Sequence, residues 1–372
     1  MKITDKQLAD ELFAGSTNQQ IATKYSMSTR NVQLRKGRLA KRGLSPEHDM
    51  DNLVPEGFLL KGQSTYYNKE GKPTQRWVKS AIDRDCFEAM VLEFIEGCSE
   101  EVVKAVPVPM PTVSASGLLN CYILTDYHMG MLSWGEETGD DWDMDIAESL
   151  LVSWFRQAIA TSPEAKTAIF AQLGDFLHWD GLDAVTPSSG HVLDADTRFQ
   201  KLTRVAIRAT KKIIGMLLHK HEHVHIVFAE GNHDMASSIW MREWLTVMYA
   251  DEPRVTVDRS ADPYYCYEHG KTSVFFHHGH KKRPDGISEV MAAKFRKVWG
   301  RTEYSYAHVG HLHHVKQLET SLMIVEQHPT LAAKDAYASR GGWLSKRAAR
   351  VITYHEEYGE VSRLTITPEM CK

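Results

Sequence analysis

Aspartate, asparagine and histidine residues are concentrated in five short motifs in the last two thirds of this 372-residue chain, and each motif directly follows an apolar run. The motifs are Asp126-Tyr-His128, Gly174-Asp175-Phe-Leu-His178, Gly231-Asn232-His233-Asp234, His277-His278-Gly279-His280 and Gly310-His311-Leu-His313. Carboxylate, carboxamide and imidazole groups are ligands for divalent ions such as Mn²⁺, Fe²⁺ and Zn²⁺. The motifs therefore predict a site for two divalent metal ions, a pair that can activate water for attack on a phosphate ester.

The apolar runs before the motifs have the length and composition of buried strands. They occupy Leu119–Thr125, Thr167–Leu173, Val224–Ala229, Thr272–Phe276 and Ser305–Val309. Helical periodicity between them, at Ala147–Ile159 and Asp196–Leu218, predicts an α/β sheet with the motifs at one edge. Three later runs are predicted to form a second sheet packed on the first: Leu322–Glu326, Arg350–Tyr354 and Val361–Ile366. The predicted fold class is α/β, a two-sheet sandwich flanked by helices.

The motif order D-x-H, G-D, G-N-H-D, H-G-H, G-H-x-H resembles that of the calcineurin-like metallophosphoesterase superfamily over roughly residues 118–330. The resemblance implies two ligand sets that share a bridging Asp175: Asp126, His128, Asp175 and His313 for one ion, and Asp175, Asn232, His278 and His311 for the other. It implies that His233 steadies the phosphoryl charge or protonates the leaving group, and that Asp234 orients the His233 ring. Manganese is expected by analogy, although Fe or Zn would suit the same ligands.

The histidines near the expected ligands are less clearly assigned. His277 and His278 are adjacent on a strand and should point to opposite faces, so only His278, which precedes Gly279, is expected to bind metal. For His280 and His314, contact with substrate and contact with solvent both remain open.

One histidine bears on the substrate. His178 completes a G-D-x-x-H pattern that resembles the DNA double-strand-break repair nuclease branch, in which this histidine helps to place the scissile phosphate. The alternative is that His178 only forms a hydrogen bond across its loop. Two basic groups could follow a DNA backbone or could simply be solvated: Lys201, Arg204, Arg208, Lys211 and Lys212 on one helix, and Lys281–Arg283.

The first 45 residues are basic, with nine Lys/Arg against three Asp/Glu, in a chain of net charge −4. This asymmetry indicates a polyanionic partner. Three helices are predicted in this segment. The first is marked by Leu8, Leu12 and Phe13, and the second by Ile21 and Ala22. A turn is predicted at Tyr25–Met27, followed by Ser28 as the N-cap of a third helix whose Val32 and Leu39 face inward. The pattern resembles bacterial and phage helix-turn-helix modules, with Ser26 at a position that usually has Gly. Side chains predicted to face outward and contact DNA are Arg30, Asn31, Arg35, Lys36 and Arg38. The alternative is a basic bundle that docks on another protein.

The composition, 42% hydrophobic and 25% charged, is that of a globular protein. The predicted domains are a helix-turn-helix at 1–45, a hairpin-helix connector with a Pro-rich linker at 46–112, and a metallophosphoesterase catalytic domain at 113–372. The connector is predicted to contain a hairpin, with its returning strand at Gln75–Ile82, and a helix over Asp83–Lys104.

No apolar run approaches the roughly 20 residues of a membrane span, and no signal pattern begins the chain, so a cytoplasmic location is expected. The five cysteines lack a C-x-x-C pair and predict neither disulfides nor a thiolate zinc site.

These features together predict a dinuclear-metal-dependent phosphodiesterase that hydrolyses DNA, a nuclease resembling phage- or prophage-encoded enzymes. One alternative is a cyclic-nucleotide or small phosphoester hydrolase whose N-terminal bundle oligomerises the chain. A second alternative is a non-enzymatic DNA-binding regulator. The sequence contains no Gly-rich phosphate loop ending in Lys-Ser/Thr, so any ATPase partner would be a separate chain.

Overall fold

The computed structural model describes residues 3–42, 54, 58–67, 73–82, 108–112, 117–187 and 189–371. The chain divides into two compact units, Met1–Val103 and Lys104–Lys372. The helix predicted over Asp83–Lys104 lies outside the described residues. Among the helices that the structure describes, none is long and apolar enough to cross a membrane.

The first unit begins with three helices: α1 (Asp5–Phe13), α2 (Asn18–Lys24) and α3 (Thr29–Lys41). Each begins after a hydroxyl side chain that accepts a backbone N–H, because Thr4, Thr17 and Ser28 satisfy amides that the helix itself leaves unpaired. The helices enclose a small apolar core of Ile3, Leu8, Ala9, Ile21, Ala22, Val32 and Leu39. Phe13, which the sequence pattern counted toward the inner face of α1, is 56% exposed.

The turn between α2 and α3 has the backbone conformation that usually selects glycine. Ser26 lies in the left-handed region, with φ of +53°. This is the position at which the helix-turn-helix pattern usually has Gly, because a side chain is disfavoured there. Ser26 therefore adopts this conformation although it carries a side chain.

A two-stranded antiparallel hairpin, β1 (Phe58–Tyr67) and β2 (Pro73–Ile82), completes the described part of the first unit. The predicted returning strand at Gln75–Ile82 falls within β2.

The second unit alternates strands and helices, with a 3₁₀ turn at Pro368–Cys371. Its elements in chain order are β3 (Leu118–Leu124), α4 (Gly135–Thr138), α5 (Met144–Thr161), β4 (Thr167–Gln172), α6 (Phe199–Lys220), β5 (His223–Phe228), α7 (Met235–Met248), β6 (Val255–Val257), β7 (Tyr265–His269), β8 (Thr272–Phe276), α8 (Pro284–Lys294), α9 (Arg296–Trp299), β9 (Tyr304–Val309), β10 (Lys316–Glu319), β11 (Ile324–Gln327), α10 (Ala336–Arg340), β12 (Ala349–His355) and β13 (Gly359–Ile366).

Two sheets are formed from these strands. The six-stranded sheet has the order β13-β12-β3-β4-β5-β6, and the five-stranded sheet has the order β10-β11-β9-β8-β7. The prediction that all five motif-bearing strands share one sheet is wrong, because β8 and β9 pair with β7 and β11 instead. The late strands are also divided: β11 joins the second sheet, whereas β12 pairs antiparallel with β3 in the first.

The sheets pack face to face, which confirms the predicted two-sheet α/β architecture. Alternate residues of β3, such as Cys121 and Ile123, meet Val274 and Phe276 of β8 in one buried apolar cluster. The intervening Tyr122 points to the other face, where its ring meets Phe155 of α5 with 6.1 Å between centroids. Helix α8 covers the outer face of the second sheet. Helices therefore flank the sandwich on both sides.

Candidate metal centre

The five motifs meet because the carboxyl ends of parallel strands in the two sheets lie at one edge of the sandwich. Backbone hydrogen bonds tie the loops together: Asp126 N–H donates to Gly174 O at 3.0 Å, His128 N–H to Asp175 O at 3.0 Å, and Gly310 N–H to His278 O at 2.7 Å. The third of these bonds joins two loops of the second sheet, while the first two join loops of the first sheet. The position of each side chain is thus fixed by more than its own strand.

Backbone strain is concentrated at the predicted ligands. Apart from Ser26, the non-glycine residues with positive φ among those described are Asp126, His128, Asp175, His311 and His313. A left-handed backbone costs a non-glycine residue about 1 kcal/mol or more, and such strain persists where the surroundings impose it, often at functional sites. Five strained residues with metal-binding side chains therefore mark this edge as a built site.

Two glycines in the motifs are required by close approach of other loops. A Cβ atom on Gly231 would overlap the carboxylate of Asp175, and one on Gly310 would overlap the hydroxyl of Thr125. Glycine precedes Asn232 and His311 because no side chain fits at either position.

One group of potential ligand atoms comes from Asp126, His128 and His313, and these atoms lie within 4.8 Å of one another. His313 Nε2 is 3.2 Å from Asp126 Oδ1 and 3.4 Å from His128 Nε2. Burial keeps the pKa of His128 well below its usual range, so its ring is neutral and offers a nitrogen lone pair. This group contains three of the four ligands predicted for one ion.

Asp126 Oδ1 is a buried atom that accepts no hydrogen bond from the described residues. Its other oxygen, Oδ2, accepts from the Thr125 hydroxyl at 2.6 Å and from the His311 N–H at 2.9 Å. A buried unpaired carboxylate oxygen is costly unless a cation compensates it. This oxygen lies 3.2 Å from His313 Nε2, and the two atoms together fit a divalent metal ion.

A second group combines Asp175, His278 and His311. Asp175 Oδ2 and Asn232 Oδ1 lie 3.1 Å and 3.0 Å from His278 Nε2. His278 Nδ1–H donates to Leu173 O at 2.9 Å, which leaves Nε2 directed at the other potential ligands. The group holds the residues predicted for the other ion, and these donors also fit a divalent cation.

His233 lies at the edge of these groups, but Asp234 does not orient it as predicted. His233 Nδ1–H donates to the backbone carbonyl of His178 at 2.8 Å, so its Nε2 is the nitrogen left for substrate. The Asp234 carboxylate instead turns inward at the start of α7. It accepts the backbone N–H groups of Asp175, Phe176, Leu177 and Gly231 at 2.7–3.2 Å. Asp234 therefore fixes the loop that carries Asp175.

We expect Asp234→Asn to destabilise the fold and weaken metal binding together. The carboxamide replaces one acceptor oxygen with a donor, so one pair of backbone amides loses its acceptor, at about 1–3 kcal/mol for each buried donor left unsatisfied. Urea unfolding and Mn²⁺ calorimetry would measure both effects. Asp143→Asn is a matched control, because Asp143 caps α5 and Asn caps helices equally well. Unchanged stability and Mn²⁺ affinity in Asp234→Asn would contradict this role.

The remaining histidines are placed as follows. His178 is 2% exposed, its Nδ1 lies 3.3 Å from His128 Nδ1, and burial lowers its pKa to about 3. It therefore lies behind His128 and does not face the cleft openly.

His277 points away from the centre and donates to Pro263 O, as its strand position predicted. His280 packs against the rings of His277 and His278, and its two buried ring nitrogens form no hydrogen bond to a described residue.

A further buried group consists of His308, Glu326 and His328, none of which belongs to the five motifs. Glu326 is already neutralised by Arg350 and Arg363. His308 Nδ1 lies 2.9 Å from His328 Nε2, and His308 Nε2 lies 2.7 Å from the Tyr354 hydroxyl. The group therefore forms a polar network in the core, and its two arginines make it unsuitable for a cation.

The predicted DNA-contacting residues of α3 differ in their surroundings. Arg30, Asn31, Lys36 and Arg38 are exposed. The expectation that Arg35 faces outward is wrong, because its guanidinium donates to Ile3 O at 2.7 Å and to Asp5 at 2.9 Å. On α6, Lys201 and Arg204 are exposed, whereas Arg208 pairs with Glu148.

A cleft of about 380 Å³ opens over the centre. Its lining includes His128, Asp175, Asn232, His233 and His313. One wall, from residues 330–347, was not anticipated from the sequence. The sequence of this segment is rich in aromatic and basic residues but has no strand or helix periodicity. That pattern gave no indication that the segment lies near the motifs.

Comparison with known proteins finds no matching protein family and no similar curated protein. Among solved structures, the chain is similar to a predicted phosphoesterase from Streptococcus pneumoniae at 10% identity, over 67% of this chain and 98% of that one, with a TM-score of 0.28. It is similar to an archaeal phosphodiesterase at 15% identity, over 66% and 99%, with a TM-score of 0.34. A 5'-nucleotidase precursor from Thermus thermophilus matches at 11% identity, over 68% and 55%, with a TM-score of 0.30. Identities and TM-scores this low do not assign an activity to the chain.

Proposed function

We propose that the protein is a metal-dependent phosphodiesterase that hydrolyses DNA, with two divalent ions held by the two ligand groups. The observation that carries the proposal is the convergence of two buried carboxylates, one carboxamide and four imidazoles beside the cleft, where Asp126 Oδ1 forms no hydrogen bond and lies 3.2 Å from His313 Nε2. When bound, a pair of divalent ions supplies charge stabilisation to a phosphoryl group and lowers the pKa of water.

The residues of the chain divide the remaining tasks. Asp175 would be shared by the two ligand groups and would offset the repulsion between cations. As a water oxygen bonds to phosphorus and the bond to the leaving oxygen breaks, His233 in its doubly protonated imidazolium form would donate its Nε2 proton to that leaving oxygen. His178 supports this ring through its backbone carbonyl and packs against His128, so we assign it a positioning role.

The experiment that tests this function is hydrolysis by the full chain with Mn²⁺. The substrates are single-stranded, blunt and circular DNA, bis(p-nitrophenyl) phosphate, a cyclic nucleotide and p-nitrophenyl phosphate. We expect both DNA and the small diester to be cleaved. Faster hydrolysis of the cyclic nucleotide or the monoester than of DNA would favour a small-molecule hydrolase. If none of the substrates is hydrolysed, a non-enzymatic role is favoured.

The N-terminal helices are proposed to bind duplex DNA through α3. The residues that support this are the exposed Arg30, Asn31, Lys36 and Arg38. Arg35 is excluded from this set because it is occupied by Asp5 within the bundle.

We expect Lys36→Ala and Arg38→Ala each to reduce the salt dependence of duplex binding, by roughly 0.9 in the log-log slope for each phosphate that the side chain neutralises. Arg35→Ala is the matched control: it should lower bundle stability and leave the slope unchanged when the bundle is folded. Anisotropy titrations at several salt concentrations would measure the slopes. If a chain beginning near Val113 keeps full duplex affinity, the bundle serves protein contacts instead.

A further inference from the structure

The cleft over the metal centre has one wall that the proposed chemistry does not use. We call it the aromatic-basic wall and define it by Lys334, Tyr337, Trp343 and Lys346, all of which line the cleft. The cleft volume of about 380 Å³ lies within the range of small-ligand sites. Because Asp175 and His311 line the same cleft, a molecule bound there can contact both the wall and the centre.

The two aromatic side chains of the wall are largely exposed. Tyr337 is 74% exposed and Trp343 is 55% exposed, and their ring centroids are 5.1 Å apart at an angle of 58°. The segment is held in place, since Trp343 N–H donates to Ala338 O at 3.1 Å and the Lys334 carbonyl accepts from the Ser133 hydroxyl at 2.8 Å. Aromatic faces that are exposed and positioned in a cleft are suited to stacking with a planar ligand.

The charge of the wall favours an anionic ligand. Lys334 and Lys346 form no ion pair with a carboxylate among the described residues. Arg347 is different, because it pairs with Asp140 at 3.4 Å and lies over the Trp142 ring. The nearby Asp335 carboxylate is used to cap α10, accepting from Ala338 N–H at 2.7 Å. Two ammonium groups without an ion pair to a described carboxylate therefore belong to side chains that line the same cleft as the aromatic rings.

We propose that the aromatic-basic wall is a stacking subsite for an unpaired nucleobase of single-stranded DNA whose phosphodiester lies at the metal centre. The inference rests on the proposed function and adds a strand preference to it. A planar base would stack on Tyr337 or Trp343 while Lys334 and Lys346 contact neighbouring phosphates, the combination by which proteins hold single strands. Bases within a duplex have both faces covered by their neighbours and cannot stack in this way.

Photo-cross-linking tests the subsite without requiring turnover. Single-stranded oligonucleotides that carry 5-iodouracil are irradiated with the full chain in Ca²⁺, and the cross-linked peptides are mapped by mass spectrometry. We expect cross-links at Tyr337 or Trp343 that disappear in the Tyr337→Ala/Trp343→Ala double variant. Leu344→Ala is the matched control, because Leu344 is 76% exposed beside Trp343 and does not line the cleft. Absence of cross-links at both residues, or equal cross-linking from a duplex, overturns the inference.

Kinetics separate this inference from the proposed function. The double variant should raise KM for a single-stranded oligonucleotide by about 5- to 100-fold, the scale of stacking for one base. It should leave cleavage of an oligonucleotide with abasic sites around the scissile phosphate unchanged. If the wild type cleaves DNA and the double variant keeps its KM, only the subsite is refuted. If the wild type cleaves neither DNA nor the small diester, the proposed function fails and cross-linking alone decides the subsite.

Discussion

Asp175→Asn is expected to abolish Mn²⁺-dependent hydrolysis and to leave fewer than two ions bound per chain. Two divalent ions about 4 Å apart repel by on the order of 15 kcal/mol at an effective dielectric constant near 20, so they need a shared anionic ligand. Asp175 is 2% exposed, and its Oδ2 lies 3.1 Å from His278 Nε2. A neutral carboxamide cannot supply the missing charge. Metal analysis and hydrolysis of bis(p-nitrophenyl) phosphate would measure the two losses.

The same substitution should preserve the fold, since a carboxamide oxygen can still accept the His233 N–H that Asp175 Oδ1 accepts at 2.8 Å. Asp183→Asn is the matched control, because Asp183 is exposed in the loop after the same motif and lies outside the ligand groups. The two-ion proposal is refuted if the wild type binds at most one ion at saturating Mn²⁺. It is also refuted if Asp175→Asn retains both ions and full turnover.

The sequence predicted the motif-bearing strands because two local signals coincide there. Each strand is a short apolar run, and each ends in polar residues that cannot continue a buried strand. The runs predicted at Thr167–Leu173 and Thr272–Phe276 agree with β4 and β8 to within one residue at either end. Local pattern was sufficient for these elements because the apolar run gives way to polar motif residues close to the point where the strand ends.

The division of strands between sheets could not be predicted in the same way. Strands β4 and β8 are both fully buried, so their patterns are alike, yet they belong to different sheets. Sheet membership depends on which backbone each strand pairs with, and those partners can be far away in sequence. Strand β12, for example, pairs with β3 more than 200 residues earlier.

The errors at the site have a related cause. Asp234 follows His233 directly, which suggested that its carboxylate would face the His233 ring. The start of α7 turns the carboxylate toward the backbone of the Asp175 loop instead. Arg35 lies on the outward face by helical spacing, but the N-terminal residues Ile3 and Asp5 reach it. In each case an interaction with another segment decided the role.

His233→Ala is expected to lower turnover on DNA by about 10²–10⁴, the usual scale for a general acid, while metal binding stays near that of the wild type. The physical reason is the placement of the ring: Nδ1–H is committed to His178 O at 2.8 Å, which leaves Nε2 at the cleft, where the imidazolium form can protonate the leaving oxygen. Initial rates and metal content of the variant would be measured together.

Two comparisons distinguish proton donation from a structural role for His233. His233→Asn keeps a donor near the Nδ1 position for the His178 carbonyl but lacks Nε2, so it should lose as much DNA cleavage as His233→Ala. Both variants should lose less activity on bis(p-nitrophenyl) phosphate, because p-nitrophenolate leaves without protonation. Equal losses on the two substrates, or recovery of activity in His233→Asn, would show that the ring only supports the loop around Asp175.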